Sequence, residues 1–295
     1  MPANHSLARS LHVRRDGRRL RTLSPTFKLT PFIMRFPSDA LNSFTDTTDL
    51  TAAEKWLRTQ RDAGYADLSL VHLFVAAYVR TVALRPALNR FISGRFIYAR
   101  RHIDVVLSNG RGGSADAGAM TVKIRLQPGD TVFDVYRKIS SRVESFKADE
   151  SASQLEAVAS TLVKTPRFIL RFGTTLLRIL DYRGWLSAGL TDRSPFHGSL
   201  VISDEGAVSL PSIRRNLNSI GSLPVSISIG RRQTITEITR ENTLSTHRVA
   251  DYTVTIDSRI ADSAYYGSAF KYFRYYLNNP EELELPPEHV TEDIL

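Results

Sequence analysis

Apolar side chains recur at helical spacing in three stretches of the chain, and each stretch is predicted to be a helix. The first follows Ser69, a residue type favoured at helix N-caps. It must end by Arg85, because Pro86 disfavours helical geometry in the residue before it. The second stretch follows residues 128–130, and Pro280 ends the third. The apolar positions are Leu70, Leu73, Phe74, Ala77 and Tyr78, then Val132, Val135, Tyr136, Ile139, Val143 and Phe146, then Tyr265, Ala269, Tyr272, Phe273, Tyr276 and Leu277.

Alternation of apolar and polar residues predicts strands elsewhere in the chain. Residues 225–229 and 252–256 alternate in this way, and residues 96–107 and 120–126 are also expected to be extended. The glycines within residues 110–113 lie between the last two stretches and are expected to form a loop. Helices and strands therefore occur without strict alternation. This mixture predicts an α/β fold, a two-layer sandwich in which helices pack against a mixed sheet.

Residues 151–190 are expected to contain two helices. One of them combines large apolar side chains with three interleaved arginines, Arg167, Arg171 and Arg178. We interpret this segment as an amphipathic helix packed on the protein, and the competing interpretation is a helix lying on a membrane surface. Its apolar residues are Phe168, Ile169, Phe172, Leu176, Leu177 and Leu180.

The chain has 295 residues, no cysteine and a formal net charge of +9. The lack of cysteine excludes disulfides, a thiol nucleophile and cysteine-bound zinc. Arginines interrupt the opening residues, and no apolar run is long enough to cross a bilayer, so we expect a soluble, cytoplasmic protein. The distribution of charge predicts a basic N-terminal arm over residues 1–24 and an acidic tail over residues 286–295, on either side of one domain.

Several motifs that would indicate a particular chemistry are missing. The glycines within residues 110–113 do not fit the phosphate-binding pattern G-x-x-x-x-G-K-[ST], and no G-x-S-x-G nucleophile elbow occurs. The seven histidines do not show metal-ligand spacing, so no metal site is expected. No nucleic-acid-binding motif accompanies the arginine-rich arm, and nucleic acid is therefore not expected as a partner.

Four segments, taken in order, carry a resemblance to a known family. Residues 84–92 pass from a helix end through a proline into a strand, and residues 95–105 continue as strands. Residues 198–206, Gly-Ser-Leu-Val-Ile-Ser-Asp-Glu-Gly, are similar to a Gly-x-Phe-Thr-Ile-Ser-Asn-Leu-Gly segment, and residues 256–263, Ile-Asp-Ser-Arg-Ile-Ala-Asp-Ser, to an Asp-His-Arg-x-x-Asp-Gly signature. Over residues 25–285 the chain resembles the catalytic domain of the acyltransferase components of 2-oxoacid dehydrogenase complexes.

The resemblance implies a chloramphenicol acetyltransferase-like fold and a homotrimer whose active sites lie at subunit interfaces. It implies coenzyme A or acyl-CoA as a substrate and no covalently bound cofactor. The family's lipoyl and partner-binding domains have no room here, so a stand-alone catalytic-type domain is expected. Another acyltransferase or an acyl carrier is a further candidate partner, whereas a membrane surface is not expected to be one.

The resemblance also assigns roles to residues. In the family, a histidine takes the proton from the thiol of coenzyme A or dihydrolipoamide, and a hydroxyl of the neighbouring subunit hydrogen-bonds the oxyanion. Ser258 stands here at the histidine position, and Ser203 stands at the hydroxyl position. Arg259 and Asp262 would hold the turn, although Asp262 could instead cap the last helix. The other signature positions are Asp257, Ser263 in place of glycine, and Asp204 in place of asparagine.

Replacement of the histidine determines the functional expectation. An unactivated serine hydroxyl does not accept a proton near pH 7, so Ser258 predicts impaired or altered acyl transfer. One alternative is an active acyltransferase that uses another base, such as His197, which precedes the third segment of the resemblance. Another alternative is a basic scaffold or a nucleic-acid-binding protein.

Overall fold

A computed structural model describes residues 14–109, 120–148, 165–238 and 242–294. The described residues form two sheets. The predicted glycine loop within residues 110–113 lies outside these ranges. The strands are β1 (Gly17–Arg19), β2 (Leu41–Asp49), β3 (Arg90–Ser93), β4 (Phe96–Arg100), β5 (Ile103–Asn109), β6 (Met120–Leu126), β7 (Leu200–Asp204), β8 (Val225–Ile238) and β9 (Leu244–Asp257).

The larger sheet has six strands in the order β2-β9-β8-β7-β5-β6. β7 runs parallel to β5 and to β8, whereas the other neighbouring strands are antiparallel. The sheet is therefore mixed, as predicted. A smaller sheet has three antiparallel strands in the order β1-β4-β3.

Helices cover one face of the larger sheet and complete the second layer. The central helix α3 is almost entirely buried, as is expected for a helix with apolar residues on most of its surface. The rings of Phe74 on α3, Tyr252 on β9 and Phe273 on α7 meet pairwise at centroid distances of 5.5–5.7 Å. The helices are α1 (Pro25–Ile33), α2 (Thr51–Asp62), α3 (Leu70–Leu84), α4 (Val132–Ala148), α5 (Arg167–Arg183), α6 (Ala188–Arg193) and α7 (Ser263–Asn278).

The ends of α3 follow the sequence prediction. Ser69 and His72 cap its first turn, and the Ser69 amide donates a hydrogen bond of 3.1 Å to Nδ1 of His72. The helix ends at Leu84, two residues before Pro86. The predicted face of α7 needs a correction, because the side chain of Tyr272 is 40% exposed. Tyr266 and Phe270, which that prediction omitted, are buried instead.

Residues 96–107 were expected to be extended, and they form two strands, β4 and most of β5. β4 and β5 are separate strands in different sheets. β4 turns back on β3 through Gly94 and Arg95, which have φ angles of 56° and 63°. Positive φ at two central residues is the geometry of a tight hairpin turn, and its twist matches that of the paired strands. The strand pattern was correct, but the sequence did not reveal the change of sheet.

The amphipathic helix α5 also differs from expectation. We predicted that it packs on the protein, but none of its residues is buried. No helix among the described residues is long and apolar enough to cross a membrane. Two helices were expected within residues 151–190; α5 is one of them, α6 begins at Ala188, and residues 151–164 lie outside the described ranges.

Candidate functional site

Ser258 occupies the turn between β9 and α7. Its backbone N–H donates a hydrogen bond of 2.9 Å to the carbonyl oxygen of Ala40, which immediately precedes β2. Its hydroxyl donates a second bond, also of 2.9 Å, to the same carbonyl oxygen. Both donors of Ser258 are therefore directed at the backbone at the start of the neighbouring strand.

A buried ion pair holds the turn. The guanidinium of Arg259 donates to both carboxylate oxygens of Asp257, with Nε–Oδ1 at 2.8 Å and Nη2–Oδ2 at 2.6 Å. Both residues are 4% exposed. The remaining guanidinium nitrogen donates to the carbonyl oxygens of Met34 and Arg35 at 3.3 and 3.1 Å. A two-pronged pair with further bonds fixes both residues of the turn.

Asp262 and Ser263 begin the last helix. The Asp262 carboxylate accepts the backbone N–H of Tyr265 at 2.7 Å, so Asp262 is the N-cap of α7. Arg259 pairs with Asp257 and not with Asp262. Of the two roles expected for Asp262, capping of the last helix is therefore the one found. Ser263 is the first helical residue and does not have a positive φ angle. Serine therefore causes no backbone strain at this position.

Ser203 lies in a row of hydroxyl side chains that crosses the sheet. It is opposite Ser228 on β8, which is opposite Thr253 on β9, which in turn is opposite Thr45 on β2. The hydroxyls of Thr45 and Thr253 are 2.8 Å apart, and that of Ser228 accepts the backbone N–H of Ile213 at 2.9 Å. Ser203 is 2% exposed, and its hydroxyl has no hydrogen-bond partner in the described part of the chain.

This row lies on the face of the sheet opposite to α3. Leu200 and Ile202 on β7 belong to the core beneath the helices, and Ser203 points to the other face because side chains alternate along a strand. Beside it is an open cavity of about 350 Å³. Its lining residues are Val106, Ser108, Thr121, Pro195, Phe196, Val201, Arg215, Asn216, Leu217, Asn218 and Leu223.

Ser258 and Ser203 of one chain are far apart. Ser203 is two strands away from Thr253, and Ser258 follows Thr253 by five residues along β9. A rise of about 3.4 Å per residue and a strand spacing of about 4.8 Å place them about 20 Å apart. A single subunit therefore does not bring these two predicted site residues together.

Asp204 follows Ser203 at the end of β7. Burial is the largest influence on its carboxyl group and raises its pKa above the ordinary 3.8, against a hydrogen bond from the amide of Ala207 and the charge of Arg232. The Ala207 amide donates to Oδ1 of Asp204 at 3.2 Å. This negative charge is therefore only partly compensated.

His197 lies in a separate cluster and is 3% exposed. Its Nε2 is 3.0 Å from Oδ1 of Asp181, and its Nδ1 is 2.9 Å from Oγ of Ser194. Burial alone would raise the pKa of Asp181, but bonds from His197 and from the amide of Gly221 lower it. Both ring nitrogens of His197 therefore have partners within the protein.

The structure adds contacts that sequence reasoning missed. Ala40 and Asp181 are the partners of Ser258 and His197, yet neither has a feature in the sequence that marks it. The alternation of serine with apolar residues over residues 225–229 did signal the position of Ser228.

No three histidine, aspartate or glutamate side chains of the described ranges are arranged to hold a metal ion.

The fold matches those of several solved structures. A probable dihydrolipoamide acetyltransferase from Listeria monocytogenes has a TM-score of 0.55 and 12% identity, over 89% of this chain and 95% of that one. The dihydrolipoamide acetyltransferase of Azotobacter vinelandii has a TM-score of 0.56 and 12% identity, over 88% and 89%. The truncated catalytic core of the 2-oxoacid dehydrogenase complex from Thermoplasma acidophilum has a TM-score of 0.52 and 11% identity, and the match covers 89% of this chain and 99% of that one.

Comparison by sequence gives no match to a protein-family model or to a curated protein. At 11–12% identity, the structural similarity establishes the fold and not the activity. It confirms the fold class that the four sequence segments predicted. The chain has the fold of dihydrolipoamide acetyltransferase catalytic cores.

Proposed function

We propose that this protein binds a coenzyme A thioester between the subunits of a homotrimer, and that its acyl transfer is impaired because Ser258 replaces the catalytic base. One observation carries the proposal. The turn before α7 is held by the Arg259–Asp257 pair, but the side chain at the base position is a hydroxyl bonded to the carbonyl of Ala40. The turn is therefore held by these bonds although, on this assignment, its base is missing.

The spacing of residues in a structural neighbour supports this assignment. A serine, a histidine and an asparagine have been investigated for their role in the mechanism of the Azotobacter vinelandii enzyme, and the last two lie four positions apart. Ser258 and Asp262 have the same separation. We assign Ser258 to the position of that histidine, Asp262 to that of the asparagine, and Ser203 to that of the serine.

The missing imidazole has a direct chemical consequence. A thiol must lose its proton before it attacks a thioester, and imidazole accepts that proton because its ordinary pKa is near neutrality. The hydroxyl of Ser258 instead donates a hydrogen bond to the carbonyl oxygen of Ala40. A positioned base contributes about 10²–10⁴-fold to a rate, so acyl transfer is slow rather than absent.

The unpaired hydroxyl of Ser203 supports a site that is shared between subunits. A buried hydroxyl without a partner costs about 1–3 kcal/mol, and a bound thioester oxygen would supply the missing partner. Because Ser203 and Ser258 of one chain are about 20 Å apart, one reacting group cannot contact both. Two copies of the chain can provide one residue each, which supports a shared site, and the resemblance to the acyltransferase family implies that three copies assemble.

His197 is not part of this proposal. A substitute base needs a free ring nitrogen that faces the substrate, and both nitrogens of His197 are within 3.0 Å of protein oxygens. Its contacts with Asp181 and Ser194 are those of a histidine that fixes the segment before β7. The structure therefore offers no feature that favours an active enzyme based on His197.

Calorimetric titration with acetyl-CoA tests the proposed binding separately from catalysis. We expect saturable heat with the wild-type protein and weaker binding for Ser203→Ala, because the hydroxyl donates to the thioester oxygen. Ser226→Ala is a matched control, since Ser226 is equally buried, at 2% exposure, on the neighbouring strand. Absence of heat at millimolar acetyl-CoA would contradict the proposal and would indicate a scaffold without this ligand.

A further inference from the structure

Helix α5 presents an uncovered apolar surface. It has 17 residues, none of which is buried. Phe168 and Phe172 are 72% and 71% exposed, and Leu176 and Ile179 on the same side of the helix are 43% and 49% exposed. Single exposed apolar side chains are common, but a continuous group of this size on one helix marks a surface that binds something.

Arginines border this surface. At 100° per residue, Arg167, Arg171 and Arg178 lie within about 40° of one another around the helix, beside the two phenylalanines. None of the three makes an ion pair with another described residue. The one acidic residue of α5, Asp181, is bonded to His197. The exposed part of the helix is therefore apolar on one side, and the adjacent side carries three arginines that have no ion-pair partner among the described residues.

A tyrosine and a tryptophan, whose side chains are both apolar and polar, lie at the end of the same helix. Tyr182 is 46% exposed, and Trp185, just beyond the helix, is 55% exposed. The guanidinium of Arg183 lies 5.5 Å from the centre of the Trp185 ring. Tyrosine, tryptophan and arginine together are typical of segments at the boundary between lipid and water.

Helix α1 adds a second uncovered apolar surface that adjoins α5 through the β3–β4 turn. Phe32 and Ile33 are 51% and 80% exposed. The guanidinium of Arg95 in that turn lies 5.3 Å from the centre of the Phe32 ring. Gly94, the residue before Arg95, lies close to the end of α5. A Cβ atom added to Gly94 would be 3.0 Å from the carbonyl oxygen of Tyr182. Arg95 therefore contacts the end of α1, and Gly94 approaches the end of α5, so these two residues connect the two helix ends.

A basic pocket of about 190 Å³ lies beside α1. Its cations are Arg19, Arg21, Lys28 and Arg95, and no acidic residue lines it. The Nε of Arg95 is buried and has no hydrogen-bond partner among the described residues. An unpaired guanidinium nitrogen in a cavity lined by cations favours an anionic ligand such as a phosphate.

We infer that α5 and α1 dock the protein on an anionic phospholipid bilayer, with the phosphate of a lipid headgroup in the basic pocket. The apolar side chains enter the headgroup boundary, while the bordering arginines pair with lipid phosphates. Charge favours lipid over a second copy of this face, because two such faces would bring arginine against arginine. The inference is independent of the proposed acyl transfer.

Trp185 provides a built-in reporter for the test. The chain has two tryptophans, and the other, Trp56, is half-buried with its Nε1 bonded to Glu284. In a Trp56→Phe background, we expect the Trp185 emission to shift to shorter wavelength and to resist acrylamide quenching when phosphatidylglycerol vesicles are added. Pure phosphatidylcholine vesicles should produce a much smaller change, and added salt should reduce the effect.

Variants identify the surface responsible. Phe168→Ser with Phe172→Ser should weaken binding to anionic vesicles at least about tenfold, because the buried apolar area sets the affinity. Ile238→Ser with Leu244→Ser is the control, since these residues are 70% and 76% exposed at the β8–β9 hairpin, and it should bind normally. Arg95→Gln should reduce the preference for anionic over neutral vesicles.

Three results would overturn the inference. One is unchanged Trp185 emission with anionic vesicles at low salt. Another is protection of Trp185 that increases with protein concentration without lipid, which would mean that a second copy covers the face. The third is protection by inorganic phosphate or coenzyme A but not by vesicles, which would identify the pocket as a site for a soluble phosphate.

Discussion

The hydroxyl of Ser258 donates a hydrogen bond of 2.9 Å to the carbonyl oxygen of Ala40. This contact joins the end of β9 to the start of β2, where Asp257 and Leu41 are paired. A side chain used in this way stabilises the turn but does not accept a proton from a thiol. The contact is the basis for our expectation that the protein keeps the shape of an acyltransferase site and has lost its base.

We predict that Ser203→Ala leaves the free energy of unfolding unchanged or raises it slightly. The substitution removes a buried hydroxyl that has no partner in the described chain, so no hydrogen bond is lost. Ser228→Ala is the comparison, because it removes the acceptor of the Ile213 amide and should cost about 1 kcal/mol. Urea unfolding of both variants measures the difference. An equal loss in the two would show that Ser203 has a structural partner.

Arg259→Gln should lower the free energy of unfolding by about 3–5 kcal/mol, because it leaves the carboxylate of Asp257 buried without its partner. The matched control is Arg58→Gln. Arg58 pairs with Glu54 at 3.9 Å on the surface and should contribute less than about 1 kcal/mol. Thermal and denaturant unfolding would test this contrast. Similar small losses would mean that the pair does not hold the turn.

Asp204→Asn should stabilise the protein at neutral pH. Burial raises the pKa of Asp204 above the ordinary 3.8, so the folded state binds its proton more tightly than the unfolded state does. The wild type therefore pays a penalty that is fully present above the raised pKa and disappears as the pH falls below 3.8. When the free energy of unfolding is measured from pH 3 to 8, the variant should be more stable than the wild type only above the raised pKa of Asp204. A constant difference across this range would contradict the assignment.

Sequence reasoning was most successful where the physical signal is local. Apolar periodicity and Pro86 located α3, and the alternation over residues 225–229 located β8. The carboxylate of Asp262 was expected as a possible cap, and it caps α7. Such features depend on neighbouring residues, so a single sequence reveals them.

Features that depend on distant residues were not predictable. The separation of β4 from β5 into two sheets follows from pairing with β3 and β1, which no local pattern encodes. The partner of His197, Asp181, comes from the end of α5. Helix α5 was expected to pack because its pattern is amphipathic, but periodicity does not specify what covers the apolar side.

The proposed trimer leads to a prediction about assembly. Because the proposed site needs Ser258 of one copy and Ser203 of another, the protein should sediment as a trimer at micromolar concentration. Sedimentation velocity over a hundredfold range of concentration would show whether subunits dissociate on dilution. A strict monomer at all concentrations would contradict the shared site. The Ser203→Ala variant should keep the trimer, since that substitution removes no known contact.

The most direct test of the account is the rate of acetyl transfer from acetyl-CoA to dihydrolipoamide by the wild type, Ser258→His and Ser258→Ala. We predict slow turnover for the wild type and the alanine variant, and a gain of at most about 10²–10⁴-fold for the histidine variant, because it restores a base at the end of β9. Retained folding and equal sedimentation of all three proteins are the controls. Wild-type turnover near about 10 s⁻¹, the median for enzymes, would contradict the central claim that Ser258 leaves the site without its base.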